Sequence, residues 1–223
     1  MYQPPHFHPD SVAAMHALLR AHPLGLLITP GADGMPVIDA IPFLLALGDD
    51  SPLSPHGTLI GHVARANPLW HLSADQPVTV VFKGPDAYVS PGWYASKADH
   101  GKVVPTWNYT LVQARGRLLV QDSPEQARAV VQRLTTEHES RSAKPWALDD
   151  APADFVAAML GAIVAIQIPL DALDGKFKLS QNRSAEDRSG VCQGLAALAG
   201  DGRTPGDPAA VARWMSALDR RRS

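Results

Sequence analysis

At 223 residues and 45% hydrophobic content, the chain can bury a sizeable core as one large domain or two small ones. A net charge of −2 supplies no global basic field and argues against a stand-alone nucleic-acid surface. A single cysteine, Cys192, excludes an intramolecular disulfide framework and fits a reducing compartment.

Residues 1–10 are rich in Pro and His and carry no charged-then-apolar leader. No apolar run reaches the ~20 residues that a membrane helix needs, so the expectation is a cytoplasmic protein with no membrane partner. His6 and His8 stand two apart without a third ligand nearby, and read as a polar N-terminus rather than a metal pair. Asp10 can cap a helix carrying Val12, Met15, Leu18 and Leu19, which His22-Pro23 ends. Residues 24–29 read as a buried strand and 36–45 as its hairpin return, across the turn cluster 30–34. A loop is expected over 48–57 and a strand over 58–63. Asn67 can start a short helix with Pro68 in its first position. Strands follow over 78–82 and 87–90, separated by a turn at Lys83-Gly84-Pro85, and then a loop over 91–102. Residues 106–121 are extended, and Gly116 there marks a bulge or bend.

Ser123-Pro124-Glu125-Gln126 is the strongest helix start in the chain, with a cap, a first-turn proline and a capping-box glutamine. A polar loop over 141–150, with Trp146 docked on the body, leads to a short helix over 154–160. A strand follows over 163–168, stopped by Pro169. Residues 175–180 begin as a strand, with Lys176, Lys178 and Ser180 on one face and Phe177 and Leu179 on the other. Ser184 then caps a helix over 185–198, with Glu186 and Asp187 in its first turn. A last helix spans 208–220 after a loop over 201–207. Cys192 reads as a small buried hydrophobe. Many strands with few, peripheral helices argue for a mainly β, α+β protein built on an antiparallel barrel. No P-loop, G-x-G-x-x-G, G-x-S-x-G or H-E-x-x-H motif is present, so triphosphatases, Rossmann enzymes, common serine hydrolases and zincins lose their main support.

Five stretches in order carry a resemblance. They are Met1-Tyr2 with Pro4, His6 and Phe7; the run from Gly61 through His62, Arg65 and Asn67 to Pro68; Gly84 to Tyr94; Val104-Pro105-Thr106-Trp107-Asn108-Tyr109; and Gly175 to Arg188. Together they resemble the PaiB-type, FMN-binding negative transcriptional regulators. The resemblance implies an FMN-binding split barrel over 1–183 with a helical appendage over 184–223, and a homodimer with flavin at its interface.

FMN needs Arg or Lys for its phosphate and donors along the pyrimidine edge of its ring. Arg65 and Lys178 are the phosphate candidates, with Arg183 and Lys83 behind them; for Arg65 the competing reading is a surface salt bridge. His62 and Asn67 would add hydrogen bonds, and Thr106, Gln181 and Asn182 complete the polar set. Trp107 reads equally as a stacking partner or a core residue. Asn108 has no packing reason to lie between two aromatics. The function implied is a regulator that senses redox state or a small ligand. Its DNA contact rests on Arg213 and the terminal arginines alone, and the loop over 201–207 exceeds a helix-turn-helix turn. The alternative is an FMN-dependent oxidoreductase, a flavin or NAD(P)H reductase or an oxidase, for which His62 is the one acid–base candidate. The histidines give slight support to a third reading, haem or polyamine handling.

Overall fold

The structure, a computed structural model, describes residues 1–48, 54–72, 76–198, 200 and 204–222. Parts of the expected loops over 48–57 and 201–207 therefore lie outside the described residues, as do the side chains of Arg221 and Arg222. The elements run α1 (Val12–Ala21), β1 (Leu24–Pro30), β2 (Pro36–Pro42), β3 (Leu44–Ala46), β4 (Thr58–Ala64), β5 (Gln76–Val89), α2 (Ser96–His100), β6 (Thr106–Gln121), α3 (Pro124–Glu139), α4 (Ala153–Gly161), β7 (Ile163–Lys178), α5 (Ala185–Ala197) and α6 (Pro208–Arg222). The seven strands form one antiparallel sheet in the order β2-β1-β5-β6-β7-β4-β3.

The chain divides into two compact units: Val12–Phe82 with Gln113–Asp174, and Met1–Ser11 with Lys83–Val112 and Gly175–Ser223. The first is a barrel by topology. β2 and β3 are the two edges of the sheet, yet only Phe43 separates them in sequence. A sheet whose edges are one residue apart has to curl until they meet. The Asn67 amide accordingly donates to Asp39 of β2 at 2.8 Å. Inside lie Leu27, Ile41, Phe43, Val80, Phe82, Leu118, Ile166 and Ile168, with Phe43 edge-on to Phe82 at 6.2 Å. Outside, Val130 and Leu134 of α3 pack on Ile60 and Ala165, while Val156 and Leu160 of α4 pack on Ala127 and Leu148. Ser123 caps α3 as its sequence demands, accepting from the Gln126 N–H at 3.2 Å.

Five expectations change. The strands expected at 78–82 and 87–90 are one strand, β5, and Lys83-Gly84-Pro85 is no turn. Val80, Phe82, Ala87 and Val89 are all fully buried, and burial on both sides of the Gly-Pro step outweighs its local turn preference. Pro169 does not stop its strand, which runs on to Lys178. It sits opposite Thr58, the first residue of β4, where a missing N–H costs little, and Leu170 N–H is bonded by Gly57 O and Ser54 Oγ. The return strand over 36–45 breaks at Phe43 to make the corner between edges. The Trp146 ring stays exposed instead of docking, although the residue's backbone N–H donates to the Glu139 carboxylate at 3.0 Å. Gly116 interrupts nothing in β6; its role is close approach, since a Cβ there would lie 2.1 Å from the Pro169 carbonyl oxygen. Among the described residues, no helix is long and apolar enough to cross a membrane.

Gly116→Ala would press its new methyl against the Pro169 carbonyl and should cost about 1–3 kcal/mol, read from denaturant midpoints. Two histidines weaken the barrel unit as pH falls. Burial lowers His16 below its ordinary 6.5, against the raising effect of its bond to the His56 carbonyl at 3.0 Å, and burial lowers His62 as well. The unfolded chain therefore takes up protons first as pH falls. Stability should be full above 6.5 and decline below it, and the decline should be smaller in His62→Gln, measured as Tm between pH 5 and 8.

Candidate functional site

Lys178, the last residue of β7, extends its amine to the Thr106 hydroxyl and the Trp107 carbonyl of β6. Half-buried, it is held below the ordinary lysine range by burial first, then by Lys176 and Arg183. Two of its three N–H donors are used by these bonds, which leaves one for a ligand.

Beyond Lys178 the chain turns a sharp corner into α5. Gln181 folds its amide back on the strand: Oε1 accepts from Leu179 N–H at 2.6 Å, and Nε2 donates to the Phe177 carbonyl. The Arg183 guanidinium lies 4.7 Å over the Tyr94 ring. Burial pushes the Tyr94 hydroxyl up and Arg183 offsets part of that. Ser184 caps α5 by accepting from Asp187 N–H at 3.2 Å, as expected. Asn108 is 1% exposed and bonds to Ser180 at 3.0 Å. Lys178, Arg183, Asn182, Ser180, Thr106, Asn108 and Tyr94, together with Val104 and Pro105, line a small cleft of about 100 Å³.

The segment bearing Tyr94 is fixed to α5. Trp93 lies in a notch made by Gly190 and Gly194, where a Cβ would meet the Trp93 carbonyl at 2.1 Å and its ring at 2.3 Å respectively. Asp187 accepts from both the N–H and the hydroxyl of Ser96, each at 2.9 Å. Burial works to raise Asp187, but these bonds and the charges of Arg183 and His100 outweigh it and hold it low. Sequence reading missed this anchor: two glycines four apart in α5 were the available signal, legible only once Trp93 is known to face them.

The remaining expected residues are not among those lining the cleft. Lys83 pairs with Asp86 in the same unit. Trp107 is 42% exposed and edge-on to Tyr88 at 6.1 Å, so it is not a core residue. His62, Arg65 and Asn67 belong to the barrel unit. His62 Nδ1 is buried without a hydrogen-bond partner. The Arg65 guanidinium bonds Asp122 at 2.7 Å, Gly161 O at 2.8 Å and Ile163 O at 3.1 Å, which ties the C-terminus of α4 to the end of β4. Asn67 caps the turn over 68–71 through Leu69 N–H. These are the bonds of a structural latch. A larger hollow of about 540 Å³ lies in the barrel unit, bordered by Ile28, Thr29, Arg115 and Asp171. It includes none of the expected residues, and its Arg115 is paired with Asp174 at 2.7 Å.

Residues 1–172 match the model of a family described as "Putative FMN-binding domain". The chain belongs to this family. That membership supports flavin binding, and FMN fits the family's description. Among curated relatives, this FMN-binding-domain chain is 34% identical over 221 residues to an uncharacterized protein of Emericella nidulans, covering 85% of the chain and 88% of the relative. It is 29% identical over 196 residues to the Bacillus subtilis protease synthase and sporulation protein PAI 2, covering 87% and 89%. Among solved structures it resembles the FAD and heme binding protein of Mycobacterium smegmatis, at TM-score 0.56 and 19% identity over 82% of this chain and 78% of that one. It also resembles the flavocytochrome Anf3 of Azotobacter vinelandii, at TM-score 0.52 and 13% identity over 82% and 75%. The fold is the antiparallel split β-barrel with peripheral helices that the sequence implied.

The Trp93 notch makes a prediction of sign. In an exposed helix Gly→Ala stabilises by about 1 kcal/mol. Gly194→Ala should instead destabilise by about 1–3 kcal/mol, because the new methyl overlaps the Trp93 ring; a raised Tm would contradict the packing described. Arg65→Ala should lower Tm and speed hydrogen exchange at the end of α4 while FMN affinity stays within twofold, as measured by titration.

Proposed function

We propose that this chain binds FMN at the corner between β6 and β7, and acts as a PaiB-type regulator in the form of a homodimer. The observation that carries the reading is the charge of the cleft. Lys178 and Arg183 both line it, with Thr106, Asn108, Ser180 and Asn182 as further polar partners and no carboxylate among its lining residues. A site whose ionised groups are all cationic suits a phosphate dianion or the oxygens of a flavin pyrimidine edge. Its volume suits one such group and not the tricyclic ring. When bound, FMN would supply reversible one- and two-electron redox chemistry. The residues of this chain hold and orient it. Lys178, steadied by Thr106 and the Trp107 carbonyl, presents its third N–H, and Arg183, stacked on Tyr94, presents its fork.

The regulatory half of the reading is favoured by two things. The Bacillus relative carries a name from protease synthesis and sporulation. The Asn108 amide at the cleft also reaches the sulfur of Met215 in α6 at 3.4 Å, which gives the C-terminal helices a direct view of the ligand. A cytoplasmic location fits the unpaired Cys192.

The dimer reading rests on the barrel unit. Leu24, Leu26 and Ile28 of β1 stand opposite Pro42, Ala40 and Ile38 of β2, and so share one face. Leu24 is 60% and Ile38 59% exposed. A contiguous exposed apolar face of this kind marks an interaction site, and a second copy of the chain is the occupant proposed.

Lys178→Met and Arg183→Met should each weaken FMN binding at least tenfold, in line with the ~1.5–3 kcal/mol of a hydrogen bond to a charged group. Unchanged affinity in both variants would remove the site. For the role, the protein should retard a fragment of its own upstream DNA at low salt and release it as salt rises. Anaerobic bleaching of bound flavin by NADH or NADPH, with no DNA retardation, would move the function to an oxidoreductase. Ile38→Glu should shift the protein from dimer to monomer in light scattering; a monomeric wild type would contradict the interface.

A further inference from the structure

Ser180 is the one non-glycine among the described residues with a positive φ, 65°. An L side chain in that left-handed region is disfavoured, and glycine is the residue that occupies it at no steric cost. Ser180 is nonetheless 4% exposed and fully engaged. Its hydroxyl meets both ends of the Asn108 side chain, accepting from Nδ2 at 3.0 Å and donating to Oδ1 at 3.2 Å. Its carbonyl accepts from Arg183 N–H at 3.0 Å. Asn108 is backed in turn by Met215. A glycine would fit this backbone more cheaply but would lack the hydroxyl. A strained residue held by surrounding bonds at a ligand-facing corner points to a requirement for that geometry.

We propose that Ser180 and Asn108 form the positioning element of the corner: their paired hydrogen bonds fix where the Lys178 amine and the Arg183 guanidinium stand relative to each other. The inference rests on the FMN reading for its purpose, and on the Ser180–Asn108 geometry for its content. Ser180 acts through Lys178, two residues before it on β7, and Arg183, three residues after it. The pair fixes a distance between two cations, and a ligand bearing two or more anionic oxygens is the chemistry that reads such a distance.

The test compares wild type with Ser180→Gly, which keeps the backbone conformation and removes the hydroxyl, and with Ser180→Ala, which removes the hydroxyl and keeps the strain. Each lysine is acylated competitively across pH and quantified by peptide mass mapping, which reads Lys178 with no flavin present. In wild type, Lys178 should react as an amine that titrates below the other lysines. In Ser180→Gly it should move toward them while the protein stays folded, because the loosened corner lets water reach an amine held low chiefly by burial and, to a lesser degree, frees it from Arg183. FMN affinity should fall about tenfold in Ser180→Gly, and by less than twofold when the same change is made in Lys178→Met. A Lys178 profile unchanged in both Ser180 variants overturns the proposal whatever the flavin result. So does a loss of FMN affinity that is equal in the two backgrounds, since a merely structural serine gives additive effects. If wild type takes up no FMN, the Proposed function fails and the labelling arm alone decides the inference.

Discussion

Phe43 is the only residue between two strands that stand at opposite edges of the same sheet. That short step forces closure of the barrel unit, and much else follows from it. Buried side chains of β1, β2, β5, β6 and β7 line its inside, with Phe43 itself packed on Phe82. Asn67 reaches Asp39 across the closure. Gly116 has to lack a side chain because β6 and β7 are pressed together at Pro169. The outer surface is then covered by α3 and α4 on one side, and the β1–β2 face keeps its apolar residues in the open.

The three strands β5, β6 and β7 run to 14, 16 and 16 residues. Their segments 83–89, 106–112 and 175–178 belong to the other unit, and there they carry Thr106, Asn108 and Lys178. Strands are rigid supports, and donors placed on strand ends are better fixed than donors on loops. The loop that contributes Tyr94 compensates through two anchors, Trp93 in its glycine notch and Ser96 on Asp187. The cationic corner is thus assembled from two strand ends and one tethered segment.

The sequence made much of this legible through local chemistry. Ser123, Ser184 and Asn67 announced their caps, and each side chain accepts the N–H that its motif predicts. The alternation over 175–180 placed Lys176 and Lys178 opposite Phe177 and Leu179 correctly, but the strand ends at Lys178, and Ser180, expected on the lysine face, is buried at a positive φ. Where local signals competed with long-range burial, they misled. Gly84-Pro85 is a turn dipeptide on any local scale, yet it runs straight through β5. Pro169 looked like a stop and is tolerated because its neighbour strand begins there. The site divided along the same line. Residues 106–108 and 178–183 converge because β6 and β7 are neighbours, which residue pattern alone does not state. Arg65 has the chemistry of a phosphate ligand, and its Nε and one terminal nitrogen are bonded to Asp122, Gly161 and Ile163, all distant in sequence.

Much of the account depends on a flavin at the β6–β7 corner. The visible absorption spectrum of the freshly purified protein, repeated on the supernatant after denaturation, tests that most directly. The account predicts a flavin spectrum and release of free FMN, or uptake of added FMN by a colourless preparation. A colourless protein that takes up no FMN would contradict it, leaving the barrel and its cationic corner to serve a different anionic ligand.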